Sequence, residues 1–353
     1  MTHAGRYALV LVVGVTLVAA PAAAEITGLY DGQIPCITQP GGVRYCGGGD
    51  NSVPTWDGVT PVDVNVALPP APASGPDGNF PVIGIYHGWG GTKFFLVTLG
   101  AYAQRGYAAF SMTSRGWGNS CGANDPKTQT AQCAAGYNHI MDTRYEVRDA
   151  QYLLGRLADE GVIDPQRIGA TGSSIGGGLS LALAALRDRV MMPDGTLVPW
   201  TSPAQGLPMR MAAALPELPW SDLAYAWIPN GDTLDYVVDA PYLARGRIGV
   251  LKQSWVGLIY ALGTTYMTNY VAPGADPDAD LAAWYNLLLA GEPYDGVPAV
   301  MDVVDRLTAH HSAYYIDHSI TPAPLLVSSG GTDDLFPVDE AVRFYERTRT
   351  EHP

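Results

Sequence analysis

The residues best suited to covalent chemistry lie at 172–176 and read G-S-S-I-G. This G-x-S-x-G pattern follows an apolar segment at 167–172 that predicts a strand, and it precedes a run of small and apolar residues at 176–186 that predicts a helix. A strand, a tight turn and a helix in this order expose the central hydroxyl, and the flanking glycines leave room for a strained turn. The pattern therefore predicts Ser174 as a nucleophile. A phosphate-binding loop is the alternative, but such a loop needs a lysine that is missing here.

A second glycine-rich pattern, H-G-W-G-G, lies at 87–91 directly after an apolar segment. Glycines allow a backbone to approach a substrate closely, and loops of this type present an N–H group to an oxyanion. We expect one oxyanion donor to be the N–H of Ile175, which follows the nucleophile, and the second to lie at Trp89. His87 precedes the expected acid in the chain, so we interpret it as a residue that shapes the loop.

A third pattern, G-G-T-D-D-L-F-P, lies at 330–337 after a strand predicted at 322–328. A carboxylate at the end of such a strand can orient a histidine and stabilise its imidazolium form. Asp333 is the predicted acid and Asp334 is the alternative. The alternative for both residues is a purely structural role in an Asx-type turn.

The sequence offers no convincing catalytic histidine. After Asp333 only the 20 residues from Asp334 to Pro353 remain, and a helix predicted at 338–348 takes up most of them. A further strand with its loops has no room before a histidine, so His352 is only a weak candidate. The three histidines that precede Asp333 in the late part of the chain are expected to pack or to cap structure: His310, His311 and His318. We expect this chain to lack its general base.

Strands and helices alternate from residue 80 onwards, which predicts a mostly parallel sheet with helices on both faces, hence an α/β fold. The predicted strands lie at 81–86, 107–112 and 167–172, and the predicted helices at 94–105, 143–160 and 176–186. Residues 62–68 alternate between apolar and polar types and predict a half-buried antiparallel strand.

The expected organisation has five parts. They are a signal peptide at 1–24, an N-terminal region at 25–79, a first core part at 80–190, a cap at 191–319 and an incomplete second core part at 320–353. The cap is predicted to be an inserted, largely helical lid, because this stretch interrupts the alternation with Trp, Tyr, Pro and weakly periodic helical pieces.

The N-terminus predicts export. It contains an early Arg6, an apolar run over 7–20 and three alanines at 22–24, which is typical of a signal peptide with an A-x-A cleavage site. The apolar run is shorter than the ~20 residues that span a bilayer, so a membrane anchor is the less favoured interpretation. We expect a secreted protein with no membrane association after cleavage.

The charge balance argues against nucleic acid as a partner. The chain has 20 basic and 34 acidic residues, a formal net charge of −14, whereas phosphate binding needs clustered Lys and Arg. No cofactor is predicted, because no G-x-G-x-x-G follows a strand with a suitably spaced acidic residue.

The cysteines Cys36, Cys46, Cys121 and Cys133 predict disulfides, which persist in exported proteins. Short loops favour Cys36 with Cys46 and Cys121 with Cys133, while the other connectivities stay open. A zinc site is the alternative, but neither CxxC nor histidine spacing supports it.

Together these motifs resemble the X-prolyl dipeptidyl-peptidase and cocaine-esterase-like (CocE/NonD) group of α/β-hydrolases, especially its secreted actinobacterial-type members. The resemblance covers about 81–353 and is carried by I-G-I-Y-H-G-W-G at 83–90, S-R-G-W-G-N-S at 114–120, the elbow segment at 167–178 and D-D-L-F-P at 333–337. The group commonly has Tyr where this chain has Ile175, a change that keeps the backbone donor.

The resemblance implies an α/β-hydrolase fold and an acyl-enzyme mechanism on an ester or peptide bond of a small substrate. Ser174 would attack, the N–H groups at Ile175 and Trp89 would hold the oxyanion, and a histidine oriented by Asp333 would move the proton. The cap segment that contains Trp220 and Asp222 also resembles the group. In one interpretation these two residues border a substrate pocket, and in the other they serve in packing and capping.

Members of the group usually continue past the acid into a segment with the histidine, and often into a C-terminal β-sandwich. We therefore expect a C-terminally truncated chain that lacks its last strand and the sandwich. The expected function is a secreted serine hydrolase, either an X-Pro dipeptidyl-peptidase or an acyl esterase. The alternative is a catalytically inactive binding protein with a hydrolase fold.

Overall fold

A computed structural model describes Met1, residues 25–230 and residues 248–353. The predicted signal peptide falls, apart from Met1, outside the described residues, and so does the part of the predicted cap at 231–247. Within the described ranges, no helix has the length and apolar character needed to cross a membrane.

The half of the central sheet that carries the predicted site is parallel. β6 (Phe80–Tyr86) lies between β7 (Ala108–Met112) and β8 (Ile163–Ser173), and β11 (Met211–Glu217) continues the sheet beyond β8. The segment at 324–328 then adds two parallel bridges to β11. Because these strands run in one direction, their carboxyl ends form a single edge, where open α/β sheets bind ligands.

The other half of the sheet is antiparallel and comes from the N-terminal region. Its strands are β1 (Gly28–Leu29), β2 (Ile34–Thr38), β3 (Arg44–Cys46), β4 (Ser52–Pro54) and β5 (Pro61–Leu68). β5 pairs with β3, β4 and β7, so this region extends the same sheet as the core.

The antiparallel pairing predicted for 62–68 is confirmed, but the prediction that it is half-buried is wrong. All eight residues of β5 are buried, because the segment after the loop at 87–91 covers the face that holds the polar side chains. Lys93 forms an ion pair there with Asp63, and the Asn65 side chain donates to the Phe94 carbonyl at 2.9 Å.

Helices cover both faces of the sheet, as predicted. α1 (Leu96–Ala103) packs against β5 and β7 on one face, in a small cluster that includes Leu99 and Ile85. α2 (Glu146–Asp159) and α3 (Ile175–Leu186) pack on the other face within the main hydrophobic core. The predicted α/β fold class is confirmed.

The predicted cap starts too early in the chain. A short hairpin of β9 (Arg189–Met191) and β10 (Leu197–Pro199) is followed by β11, which belongs to the central sheet and lies inside the range predicted for the cap. β11 reads M-A-A-A-L-P-E, and its run of alanines gives neither the alternation nor the β-branched content that marks a strand.

After β11 the described chain is helical. Its helices are α4 (Leu223–Trp227), α5 (Gln253–Thr265), α6 (Leu281–Leu289), α7 (Pro298–His311) and, after the segment at 324–328, α8 (Asp339–Glu351). The helix predicted at 338–348 corresponds to α8, and α6 lies among the weakly periodic helical pieces predicted for the cap.

Both favoured disulfide pairs are present. Cys36 and Cys46 lie directly opposite each other on β2 and β3, and Cys121 is bonded to Cys133 in the loop that follows β7. Short loops thus predicted the connectivity that the structure has.

Candidate active site

Ser174 occupies a strained turn between β8 and α3. Its backbone angles are φ 58° and ψ −117°, a combination that L-residues rarely adopt and that persists only when the surroundings impose it. The Ser174 N–H donates to the Glu217 carbonyl at 3.0 Å, and the Ser174 carbonyl accepts from the Gly178 N–H at 2.9 Å, which begins the helix. The turn is therefore tied to β11 on one side and to α3 on the other.

Two glycines allow the helix to begin this close to the sheet. A Cβ atom on Gly176 would lie 2.1 Å from the Tyr86 carbonyl oxygen, and one on Gly177 would lie 2.2 Å from the Glu217 oxygen. Both obstacles are backbone atoms of neighbouring strands, which cannot rotate away. The glycine after the nucleophile in the G-x-S-x-G pattern is thus required by packing.

The loop at 87–91 lies against the nucleophile. A Cβ atom on Gly88 would lie 3.5 Å from the Ser174 Cβ and 3.3 Å from the Ser173 carbonyl oxygen. Ile175 is the first residue of α3, where N–H groups have no partner within the helix and the helix dipole favours negative charge. The structure therefore brings the two segments predicted to hold the oxyanion to the same hydroxyl.

The Trp89 side chain connects this loop to the cap. Its indole N–H donates to the Ile259 carbonyl of α5 at 2.8 Å, and its ring packs edge-on against Trp117 with the ring centroids 4.9 Å apart. Trp89 also lines the pocket beside Ser174. The loop that lies against the nucleophile is thus attached to a cap helix.

His87 is fully engaged with the backbone. Its Nδ1 lies 2.8 Å from the Gly88 carbonyl oxygen, and its Nε2 accepts from the Ser114 N–H at 2.9 Å. Since Nε2 accepts, the proton of the neutral ring is on Nδ1, which donates to Gly88. Burial lowers the pKa of His87, which favours this neutral form. These contacts support its interpretation as a residue that shapes the loop.

Asp333 lies in a turn that its own side chain closes. Its Oδ1 accepts from the N–H groups of Leu335 and Phe336, both at 2.9 Å, while its N–H donates to the Gly330 carbonyl at 3.2 Å. This is the Asx-type turn that the sequence left open, and Oδ1 alone makes it. Asp333 is partly exposed and Asp334 is exposed.

The nucleophile and the acid lie at the same edge of the sheet. The Ser174 N–H bonds to Glu217 at the end of β11, and the Leu218 N–H bonds at 2.7 Å to the Ser328 carbonyl at the end of the neighbouring segment. Two strand spacings, about 10 Å, therefore separate the strand ends that carry Ser174 and Asp333.

His352 is at the wrong edge of the sheet to act on Ser174. Its Nδ1 lies 3.1 Å from the Thr321 hydroxyl and its Nε2 lies 2.6 Å from the His318 carbonyl oxygen, both before the segment at 324–328 begins. Arg187, which follows α3, donates to the Thr321 carbonyl at 2.8 Å. The 12 residues of α3, about 18 Å, separate this edge from the nucleophile, so the weak candidacy of His352 is not supported.

Of the remaining described histidines, His139, His311 and His318 are buried and His310 is partly buried. His139 stacks between Tyr137 and Tyr145, and His311 has its Nδ1 at 3.0 Å from the Ile140 carbonyl oxygen. Burial lowers the pKa of His310 to about 4 and that of His318 to about 3. In the described part of the chain, no histidine forms a hydrogen bond with the Ser174 hydroxyl.

A largely aromatic pocket opens beside Ser174. The space inside it that the centre of a water molecule can reach is about 50 Å³. Its lining combines residues at the carboxyl ends of the core strands with residues of the cap: Trp89, Ile140, Ser174, Ile175, Trp220, Leu223, Trp227, Val256, Ile259, Tyr260, Tyr270, Leu281, Trp284, Tyr285, Leu288 and Phe336. Sequence reasoning missed most of the cap residues, since the density of Trp and Tyr after residue 191 marks a cap without saying which rings face inward.

The sequence left open whether Trp220 and Asp222 line a pocket or have a structural role. In the structure Trp220 lines the pocket and Asp222 has the structural role. Trp220 lines the pocket and donates its indole N–H to the His311 carbonyl at 2.7 Å. Asp222 accepts from the Tyr225 N–H at 3.0 Å, which caps α4, and pairs with Arg343 of α8 at 2.9 Å.

Among the residues that the structure describes, no three His, Cys, Asp or Glu side chains are grouped so that they could hold a metal ion. The site is built from a hydroxyl, backbone N–H groups, a carboxylate and an apolar pocket. These groups can carry out acyl transfer once a base is present.

Comparison with known proteins gives one family match. The model of the acetyl xylan esterase (AXE1) family matches residues 61–202, which begin with β5 and include the loop at 87–91, β8 and α3. The curated proteins searched gave no match.

Solved structures with a similar fold include esterases and peptidases. An acetyl xylan esterase from Paenibacillus sp. R4 is 18% identical with a TM-score of 0.49, and the match covers 92% of this chain and 86% of that one. Acetyl xylan esterase 1 from Thermoanaerobacterium sp. JW/SL YS485 is 16% identical with a TM-score of 0.44, covering 89% and 73%. A puromycin-hydrolyzing peptidase of Mycobacterium tuberculosis is 17% identical with a TM-score of 0.44, covering 82% of this chain and 32% of that one.

The sheet order, with the helices on both faces and the family match, identifies an α/β-hydrolase-like fold. Neither the family match nor these structures name the CocE/NonD group, so that narrower resemblance stays a prediction.

Proposed function

We propose that this protein is a serine hydrolase that cleaves a carboxylic ester or a peptide bond through an acyl-enzyme on Ser174. The observation that carries the proposal is the strained Ser174 turn at the wall of the aromatic pocket. A strained residue that core packing holds next to a pocket is typical of a functional site. The acetyl xylan esterase family match over 61–202, which contains this turn, supports the same class of reaction.

In the proposed reaction the Ser174 hydroxyl attacks the substrate carbonyl carbon while a base takes its proton. We propose that the oxygen of the tetrahedral intermediate accepts hydrogen bonds from the N–H groups of Ile175 and Trp89, and the closeness of Gly88 to Ser174 supports this assignment. The intermediate collapses, the leaving group takes the proton, and water then releases the acid from Ser174.

The proposed acid is Asp333. With Oδ1 bound to two backbone N–H groups, its Oδ2 can accept from an imidazole N–H that lies between it and Ser174. None of the described histidines bonds to Ser174, so the proposed reaction needs an imidazole base in addition to them. The resemblance to X-prolyl dipeptidyl-peptidases and acyl esterases extends the proposal to small peptides or esters as substrates.

The test is labelling of the purified protein with a fluorophosphonate, with and without added imidazole. Ser174→Ala is the test variant, and Ser173→Ala is the matched control because it changes the neighbouring hydroxyl of the same motif. Labelling of the unmodified protein and of S173A, but not of S174A, supports the nucleophile. Labelling that needs imidazole shows that the nucleophile and the oxyanion site are formed but that the base is missing.

A second candidate function is a binding protein with a hydrolase fold and no catalysis. The absence of a hydrogen bond between Ser174 and any described histidine favours it. This candidate predicts a folded protein that no fluorophosphonate labels, even with imidazole. That outcome would overturn the hydrolase proposal.

We also propose that the protein is exported, based on the signal-peptide pattern at 1–24 and on the two disulfides, which are typical of oxidising compartments. Expression of the full chain in an actinobacterial host tests this. Export predicts protein in the medium with an N-terminus at Glu25, whereas retention in the cell with an intact N-terminus would contradict it.

A further inference from the structure

Part of the pocket wall is made of rings and aliphatic side chains from the cap. Tyr260 of α5 stacks on Tyr285 of α6, with the ring centroids 4.4 Å apart and the planes 19° from parallel. Tyr260 also lies nearly parallel to Tyr270, at 5.6 Å and 10°. These contacts join three cap segments into one surface, which we call the tyrosine wall.

The rest of the pocket is equally apolar. The lining residues with the lowest exposure include Trp220, Leu281, Trp284 and Leu288, none of them more than 5% exposed. Among the described residues that line the pocket, none carries a formal charge. A group that enters this space therefore exchanges water for aromatic and aliphatic contacts.

We infer that the pocket selects carboxylic esters whose acyl group is uncharged, apolar and larger than acetyl; this inference rests on the proposed function and specifies its substrate. An apolar acyl chain gains free energy in proportion to the area that the tyrosine wall covers. An acetyl group offers the tyrosine wall much less apolar area than a longer or aromatic acyl group does. The inferred class thus differs from the acetyl esters named for the matched family.

A free amino terminus is disfavoured by the same surface. An ammonium group that leaves water needs a carboxylate or several acceptors; the described lining residues include no carboxylate, and their side-chain acceptors are the hydroxyl groups of one serine and three tyrosines. Aromatic faces do attract cations, so a cation held by the rings is the competing result that the experiment must separate. The inference therefore favours esters over the dipeptides that an X-Pro dipeptidyl-peptidase would cleave.

The test measures binding to Ser174→Ala by calorimetry, so that no catalytic step is needed. Three ligands share one ring and one ethyl ester: ethyl 3-phenylpropanoate, phenylalanine ethyl ester at a pH where its amine is protonated, and N-acetyl-phenylalanine ethyl ester. Ethyl acetate is the small ligand. We expect ethyl 3-phenylpropanoate to bind about tenfold or more tightly than the protonated amino ester and than ethyl acetate. We expect acetylation of the amine to restore part of the affinity.

Tyr260→Ala, combined with S174A, removes the central ring of the tyrosine wall. Leu258→Ala is the matched control, because Leu258 is on the same helix, is 48% exposed and does not line the pocket. We expect Tyr260→Ala to weaken binding of ethyl 3-phenylpropanoate about fivefold or more and Leu258→Ala to leave it unchanged.

Equal or tighter binding of the protonated amino ester would overturn the inference in favour of cation recognition, and equal binding of ethyl acetate would overturn the size requirement. No binding of any ligand by folded S174A would overturn it as well. These results are independent of fluorophosphonate labelling. Failed labelling with the expected binding pattern would contradict the hydrolase proposal while leaving the selectivity of the pocket established.

Discussion

The turn that carries Ser174 and the turn that carries Asp333 share one edge of the sheet but are held in different ways. Around Ser174, the backbone of β6 and β11 leaves no space for a side chain at Gly176 or Gly177. Around Asp333, Gly331 has no atom within 4 Å of a Cβ position, and the turn is closed by the Asp333 carboxylate itself. The nucleophile is thus positioned by tertiary packing, and the acid by local hydrogen bonds.

The largest difference in stability is expected between alanine substitutions at a glycine of each of the two turns. Gly176→Ala puts a methyl group 2.1 Å from the Tyr86 oxygen and 2.7 Å from the Tyr86 carbonyl carbon, so β6 and α3 must separate. We expect the free energy of unfolding to fall by about 3 kcal/mol or more. Gly331→Ala, the control, should change it by less than about 0.5 kcal/mol. Urea denaturation measures both, and equal effects would remove the contrast between the turns.

Removing the hydrogen bond between the loop at 87–91 and α5 has the next largest expected effect on stability. Trp89→Phe leaves the Ile259 carbonyl without its indole donor and reduces the ring contact with Trp117. We expect a loss of about 1–2 kcal/mol in the free energy of unfolding. Trp255→Phe is the control. Trp255 lies on α5, the helix that contains Ile259, is 38% exposed and does not line the pocket. If the two variants lose the same amount, the loop is not anchored through Trp89.

Substitutions in the turn that carries Asp333 are expected to reduce stability less, and by amounts that differ between Ala and Asn. Asp333→Ala removes the acceptor for the Leu335 and Phe336 N–H groups, so we expect a loss of about 1 kcal/mol. Asp333→Asn keeps one acceptor oxygen and should stay within about 0.5 kcal/mol of the unmodified protein. Asp334→Ala should do the same, because Asp334 is exposed. Thermal unfolding distinguishes them, and an equal loss for Asp333→Asn and Asp333→Ala would show that the turn needs the charge.

A pH dependence is expected in the helix after the acid turn. Glu340 is buried, its Oε2 accepts from the Ser221 N–H and hydroxyl and from the Asp222 N–H, and burial raises the pKa of its carboxyl group to about 7. The folded protein then binds more protons than the unfolded chain between pH ~4.5 and pH ~7, so this group contributes stability that is lost as pH rises through that interval.

Glu340→Gln removes this titration. The free energy of unfolding of the variant minus that of the unmodified protein should therefore increase from pH ~4.5 to pH ~7 and level off above it. Glu346→Gln, in a surface pair with Arg349 on the same helix, is the control and should give a flat difference. A flat difference for Glu340→Gln as well would show that Glu340 stays charged in the folded protein.

Much of the site could be predicted because its signals are local. The G-x-S-x-G pattern, the H-G-W-G-G loop and the Asp333 turn each depend on a few consecutive residues whose backbone requirements restrict the residue types. The alternation of strands and helices from residue 80 and the short loops between cysteines are local in the same sense. The structure contains these features at the predicted places, except that the strand predicted at 322–328 forms only two isolated bridges to β11.

Other features depended on contacts between distant residues and could not be predicted in this way. β11 has a composition that indicates no strand, and it becomes one because β8 and the segment at 324–328 pair with it. The polar residues of β5 suggested an exposed face, but Lys93 and the following segment bury them.

By itself, the sequence determined which hydroxyl is strained and which loops surround it, because the elbow and its glycines are set by adjacent residues. Only the tertiary structure decided that His352 lies at the opposite edge from Ser174, because α3 runs about 18 Å between the two edges and α8 ends beside Thr321. It also decided that Tyr260, Tyr270 and Tyr285 meet in one wall, because three separate cap segments must fold together before their rings can stack.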